Sequence, residues 1–158
     1  MQTRKLVLCG LLIAIGVLTA HLIYIPVGVA KCFPVQHTVN VLAAVLLGPE
    51  YAVAVAFVIS SLRNMLGTGS LLAFPGSMVG AFLAGIAYSH FKSYAAALGG
   101  EVIGTGLLGA LAAWVIAAAV LGSKAGAFFL VPPFMISTVG GALIAYFILR
   151  SGVLKGFK

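Results

Sequence analysis

The chain has 158 residues, of which 63% are hydrophobic and only 7% are charged, and its mean hydropathy is +1.23. A soluble domain carries about 25% charged residues, so this chain has too little polar surface to cover itself in water. The composition therefore predicts an integral membrane protein. Because no hydrophilic segment is long enough to form a soluble domain, residues 1–158 are predicted to form a single transmembrane domain.

The net charge of +7 does not indicate nucleic-acid binding, because the chain has no basic run and no basic residues interleaved with aromatic ones. Its cations lie mostly at the ends of apolar segments, as in membrane proteins. Cys9 and Cys32 are isolated and form neither a disulfide framework nor a C-x-x-C metal site. We therefore expect buried thiols and no metal.

The apolar segments predict an all-α bundle of six transmembrane helices. The first is about 20 residues long, enough to cross a bilayer and too long for the apolar core of a signal peptide, so it is predicted to be an uncleaved helix. Segments two and three are short for a ~30 Å hydrocarbon core, and a re-entrant hairpin is the alternative to two full crossings. A loop is predicted between the prolines at 26 and 34. The predicted helices are Leu6–Ile25, Val35–Gly48, Tyr51–Leu66, Pro75–His90, Ala95–Leu121 and Phe128–Leu149.

The distribution of cations predicts that both termini lie in the cytoplasm, because cytoplasmic loops of membrane proteins are enriched in Lys and Arg. In this orientation three loops lie at the outer face: Pro26–Pro34, Gly67–Pro75 and Gly122–Gly126. The outer cations are Lys31, Arg63 and Lys124, and the cytoplasmic ones are Arg4, Lys5, Lys92, Arg150, Lys155 and Lys158.

A polar, glycine-rich stretch from Arg63 to Ser77 interrupts the apolar segments. Polar groups and irregular backbone at membrane depth are costly unless they face protein or a water-filled cavity. We therefore expect a bound solute here, with Arg63, Asn64, Thr68 and Ser70 lining its pocket. The alternative is an arginine that extends to the membrane interface beside a simple glycine turn.

Two further sets of polar residues are candidate ligand contacts. Gln36, His37 and Asn40 share one helical face of the second segment, although each could be structural. Glu101 is the acid within the fifth segment, and a buried carboxylate must be protonated, paired or hydrogen-bonded. It could close the pocket from below, pair with a cation of a partner, or lie at the interface near a helix start.

Several aromatic residues could stack on a planar ligand, although aromatic residues in membrane proteins often serve as interface anchors. They are Phe74, Trp114, Phe128 and Phe129. Small residues lie four apart at Gly10 and Ala14 and again at Gly16 and Ala20, a spacing that allows helices to approach closely in lipid.

Enzyme motifs are missing from the sequence. It contains no H-E-x-x-H, G-x-S-x-G or Walker A pattern, and its two acids make a carboxylate proton relay implausible. A non-enzymatic protein is therefore expected.

The chain resembles an S component, the substrate-binding subunit of an energy-coupling-factor vitamin transporter, and is most similar to the ThiW family of thiazole-precursor subunits. The resemblance covers nearly the whole chain. Its most specific part is the motif Arg63–Ser77, and it also includes Pro34–Asn40, Leu47–Pro49 and Glu101–Gly106.

This resemblance implies six helices in a prokaryotic cytoplasmic membrane and a binding site near the outer face. It also implies a transmembrane coupling subunit with two cytosolic ATPases that hydrolyse ATP. Gly10 and Ala14 match loosely the small-residue motif by which such subunits dock the coupling subunit.

The implied substrate is hydroxyethylthiazole, a neutral heteroaromatic alcohol that does not require Arg63 as a counter-ion. Arg63 then either holds the loop or meets a ligand that carries negative charge. The alternatives are an S component for another small vitamin or precursor, such as a pyrimidine, and a stand-alone carrier.

Overall fold

The computed structural model describes residues 2–27 and 30–154, and within those ranges the regular structure is helical apart from one short hairpin. The hairpin pairs β1 (Ile25–Val27) with β2 (Ala30–Cys32), and a 3-10 turn at Thr19–His21 precedes it. The helices are α1 (Gln2–Leu18), α2 (Pro34–Leu47), α3 (Pro49–Met65), α4 (Ala73–Phe91), α5 (Tyr94–Ala119) and α6 (Val131–Arg150).

The predicted helix bounds agree with α2 to α6 to within a few residues, but the first helix and the loop after it were predicted wrongly. Helix α1 ends at Leu18 rather than Ile25, and the predicted loop Pro26–Pro34 contains most of the hairpin. The β-branched residues Ile25 and Val27 favour a strand, and Pro26 between them cannot continue a helix. Lys155 and Lys158, which entered the predicted orientation, lie outside the described residues.

Glycine and proline set the helix boundaries. Gly48 has a φ of 94°, which favours glycine, and it separates α2 from α3, which begins at Pro49. Pro75 lies in the first turn of α4, and Pro132 and Pro133 lie in the first turn of α6, so the prolines delay α6 relative to its predicted start at Phe128.

Helix α2 is the centre of the bundle. It contacts each of the other five helices, and its residues are buried except for the partly exposed Val35 and Leu46. At 1.5 Å per residue its 14 residues span about 21 Å, which is short of a ~30 Å hydrocarbon core. Because other helices surround it, α2 does not need to face lipid along its length.

The outer helices expose large apolar side chains, including Leu6 and Leu11 on α1 and Leu143 and Phe147 on α6. Helices α5 and α6 are long and apolar enough to cross a membrane, and within the described ranges no other helix meets both conditions. So many exposed apolar side chains are costly in water and are expected where lipid covers them.

Helices α4 and α5 pack closely through glycine. A Cβ atom on Gly104 would lie 2.7 Å from the Cα of Gly80, and one on Gly100 would lie 2.6 Å from the carbonyl oxygen of Leu83. Opposite α4, the segment Gly104–Gly109 of α5 is a π-helix, an interruption often found at functional sites. Small residues therefore bring the backbones of α4 and α5 together beside the centre of the bundle.

The two small-residue pairs of α1 lie on different faces. Gly16 and Ala20 are buried, and a Cβ on Gly16 would contact Ile59 of α3. Gly10 and Ala14 are exposed, and a Cβ on Gly10 would meet open space. The first pair thus packs within the bundle, whereas the second faces outward.

Candidate ligand-binding site

A cavity of about 470 Å³ opens at the end of the bundle where α3 ends and α2, α4 and α6 begin. Its volume lies within the range of small-molecule sites, which is about 300–1,000 Å³. The β hairpin contributes Lys31 to its wall, and the loop after α3 contributes the segment from Gly67 to Ser70. The π-helical segment of α5 contributes Thr105.

The glycine-rich loop folds back on the end of α3. Gly67 has a φ of 72°, and the N–H groups of Thr68 and Gly69 both donate to the carbonyl oxygen of Arg63 at 2.9 Å. The Asn64 amide donates to the carbonyl oxygens of Ser60, at 2.9 Å, and Ser70, at 3.0 Å. Asn64 therefore holds the loop against α3 and is not part of the cavity wall.

Arg63 is part of the cavity wall and is only 2% exposed. Its Nη1 donates to Gln36 Oε1, its Nη2 donates to the Thr68 carbonyl oxygen at 2.8 Å, and its guanidinium carbon lies 3.9 Å from the centre of the Phe33 ring. Its Nε has no partner among the described residues. The guanidinium is thus held inside the bundle.

Polar side chains continue from Arg63 into the bundle. Gln36 Nε2 donates to Ser77 Oγ at 2.9 Å, and Asn40 Nδ2 lies 3.2 Å from the same oxygen. Asn40 Nδ2 also lies 3.1 Å from Glu101 Oε1. One hydrogen-bonded network therefore links α2, α3, α4 and α5, and it ends at the carboxylate of Glu101.

Glu101 is fully buried beneath the cavity and pairs with His37 of the same chain. His37 Nδ1 lies 2.8 Å from Glu101 Oε1, and Thr105 Oγ1 donates to that oxygen at 3.0 Å. Both His37 and Thr105 line the cavity, whereas Glu101 does not. The carboxylate therefore orients two side chains that a ligand would meet. Its second oxygen, Oε2, has no partner in the described part of the chain.

The predicted site residues occupy three positions relative to the cavity. Those in its wall are Gln36, His37, Arg63, Thr68 and Ser70. Those directly behind the wall, bonded to wall residues or to the loop, are Asn40, Asn64 and Glu101. Phe74 lies outside the wall, where its ring packs edge-on against Phe57 at 5.9 Å.

The aromatic residues of the wall were not predicted from the sequence; they are Tyr24, Phe33 and Phe134. The backbone N–H of Phe33 donates to Ser137 Oγ at 2.8 Å, a contact that joins the start of α2 to α6. The predicted candidates lie elsewhere: Phe128 and Phe129 are 70% and 55% exposed, and Trp114 donates to the Ala125 carbonyl oxygen at 2.9 Å.

Cys32 connects the hairpin to α6 by a hydrogen bond. Its Sγ donates to the carbonyl oxygen of Pro133 at 3.1 Å, and its side chain is buried. Burial raises the pKa of the Cys32 thiol, which disfavours the reactive thiolate. In the described ranges, no three His, Cys, Asp or Glu side chains come together as metal ligands.

An apolar helical bundle with a solute-sized cavity at one end, lined by apolar and aromatic side chains and a few polar ones, fits a membrane protein that binds small molecules. Residues 6–154 match the family model described as thiamine-precursor transporter protein (ThiW), and the chain belongs to this family. No curated protein matches the chain. The family and the two long apolar helices together identify a membrane protein that transports a thiamine precursor.

Proposed function

We propose that the chain is the substrate-binding S component of an energy-coupling-factor importer and that it captures hydroxyethylthiazole at the outer face of a prokaryotic cytoplasmic membrane. It crosses the membrane six times with both termini inside. A separate coupling subunit and two cytosolic ATPases supply the energy, and this chain catalyses no reaction.

The observation that supports this proposal is the cavity wall, which combines aromatic rings with polar side chains. A thiazole ring could pack against Tyr24 or Phe134, and its hydroxyl or ring nitrogen could bond Thr105, His37 or Gln36. The network behind the wall fixes the polar side chains before the ligand arrives, which lowers the entropic cost of binding.

The absence of nucleotide-binding sequence motifs supports the need for partners. The chain has no Walker A pattern, and it has too few acids for a proton-relay pathway. Gly10 and Ala14 form an exposed small-residue surface on α1, where a helix of the coupling subunit could approach closely.

Uptake of labelled hydroxyethylthiazole into cells that lack their own route tests the proposal. We expect uptake only when this chain is expressed together with a coupling subunit and its ATPases. A variant of the ATPase that binds ATP without hydrolysing it should abolish uptake and leave binding to the purified chain intact. Uptake by this chain alone would instead identify a stand-alone carrier.

A further inference from the structure

Arg63 pairs with no carboxylate among the residues that the structure describes, although it is only 2% exposed. Its hydrogen bonds go to the neutral oxygens of Gln36 and Thr68, and its guanidinium carbon lies over the ring of Phe33. An arginine stays charged in proteins, and a buried charge is costly unless it is paired. The neutral partners alone leave a full positive charge at the cavity wall.

Neither acid of the chain can serve as the counter-ion. The sequence contains two, Glu50 and Glu101. Glu50 lies in the first turn of α3 and Arg63 in its last turn, about 20 Å away at 1.5 Å per residue. Glu101 is bonded to His37, Asn40 and Thr105. The dipole of α3 favours a cation at this end but supplies only about half a unit charge.

A second cation lines the same cavity. Lys31 of the hairpin holds its Nζ 4.8 Å from the centre of the Tyr24 ring, and the rings of Tyr24 and Phe33 are 6.4 Å apart. Lys31 and Arg63 therefore lie over neighbouring rings of one wall. Two cations and no carboxylate among the lining residues give this wall a positive potential, which attracts an anion.

We infer that the cavity takes an organic anion: a small heteroaromatic ring that bears a carboxylate or a phosphate monoester. This inference rests on the proposed importer role but replaces its substrate, the neutral alcohol, by an anionic compound with the same heteroaromatic ring. The ring packs against the aromatic wall, and the anionic group lies toward Lys31 and Arg63. Hydrogen bonds between charged groups are stronger than neutral ones, so the anion should bind more tightly than the neutral alcohol.

Three ligands with one thiazole ring test this: the hydroxyethyl alcohol, the acid in which a carboxylate replaces the hydroxymethyl group, and the phosphate ester of the alcohol. Their affinities for the purified chain in uncharged detergent are measured by calorimetry. We expect an anion to bind tenfold to a hundredfold more tightly than the alcohol, and expect this ratio to fall as salt is added.

Lys31→Gln is the primary variant, because Lys31 is exposed and bonds no part of the buried network. We expect it to lower the anion-to-alcohol ratio threefold to tenfold. Lys92→Gln is the matched control, since Lys92 follows α4 at the opposite end of that helix from the cavity. It should not change the ratio.

Alcohol binding equal to or tighter than that of both anions would overturn the inference while leaving the proposed function intact. If no thiazole compound binds but phenyl phosphate binds in a Lys31-dependent manner, the anion site stands and the proposed substrate is wrong. If none of these compounds binds, both are wrong. Lipid headgroups carry the same phosphate chemistry, so the titrations are repeated in bilayer discs; competition by anionic lipid would assign the cations to lipid and overturn the inference.

Discussion

The two halves of α2 are equally buried but differ in what they bury. The first half holds Gln36, His37 and Asn40, whereas the second, from Val41 to Leu47, is entirely apolar. An apolar side chain accepts many packing arrangements of similar energy, but a buried polar group must find a partner at a specific distance. The polar half therefore specifies where α3, α4 and α5 lie, and the apolar half contributes buried apolar contacts.

Removal of the Glu101 carboxylate should have the largest effect on the polar half. Glu101→Ala leaves His37, Asn40 and Thr105 without their shared acceptor. Breaking a buried pair costs about 3–5 kcal/mol, so we expect a large drop in the thermal unfolding temperature of the purified protein and no ligand binding.

The double variant His37→Leu/Glu101→Leu sharpens this test. Replacing both members of a buried pair by apolar residues removes the uncompensated group and often restores stability. We expect the double variant to unfold at a higher temperature than Glu101→Ala and still to bind no ligand. If it bound normally, the pair would have no role in the site.

The next largest effect is expected where α4 meets the polar network. A Cβ on Gly80 would overlap Thr105 Oγ1 and lie 2.7 Å from Glu101 Oε2. Overpacking of this kind costs about 1–3 kcal/mol, so Gly80→Ala should lower the unfolding temperature and weaken binding.

Gly99→Ala is the matched control for Gly80→Ala. Gly99 is also in a helix, but a Cβ there meets no atom within 4 Å. Because alanine is the better helix former, the control should unfold at the same temperature or slightly higher. If both variants lost the same amount of thermal stability and ligand affinity, close contact between α4 and α5 would not be the cause of the loss in Gly80→Ala.

The sequence indicated the polar residues of the site better than the aromatic ones. Gln36, His37, Asn40 and Arg63 are recognisable because they are polar residues in apolar surroundings, and their helical spacing places the first three on one face. Its apolar context also made Glu101 a candidate. That context did not predict that Glu101 pairs with His37, 64 positions away. Local patterns do not encode which distant side chains meet.

The aromatic part of the wall could not be predicted for the same reason. Phe33 is held by Ser137, 104 positions away, and Tyr24 faces the cavity because α1 ends early and a hairpin follows. Aromatic residues are frequent throughout this apolar chain, so composition does not separate Phe33 from Phe128. Only the fold of the chain distinguishes a wall residue from one exposed on the outside.

A smaller effect is expected from Asn64→Ala, which tests whether the polar half needs the loop in place. Asn64 bonds the carbonyl oxygens of Ser60 and Ser70 but does not line the cavity. Losing these bonds should release the loop and weaken ligand binding by about 1–3 kcal/mol, as measured by calorimetry. Unchanged affinity would show that the loop keeps its position without Asn64.

Ser61→Ala controls for the loss of a side-chain bond within α3. Ser61 Oγ donates to the Phe57 carbonyl oxygen at 2.9 Å and bonds no loop residue. We expect its affinity for ligand to equal that of the unmodified protein. Similar losses in the Ser61 and Asn64 variants would assign the effect to α3 itself rather than to the loop.

The smallest effect on the isolated protein is expected from Gly10→Leu/Ala14→Leu, because both residues lie on the exposed side of α1. Both are exposed on α1, and a side chain added at Gly10 meets open space, so stability and ligand binding should not change. If a coupling helix approaches this face, the larger side chains should reduce uptake in cells that express the complete transporter. Ala54→Leu adds an exposed leucine to α3 in place of α1 and should leave uptake intact. Equal uptake by the unmodified protein and both variants would place the coupling surface elsewhere. A loss of uptake confined to the α1 variant would show that the docking face is distinct from the cavity.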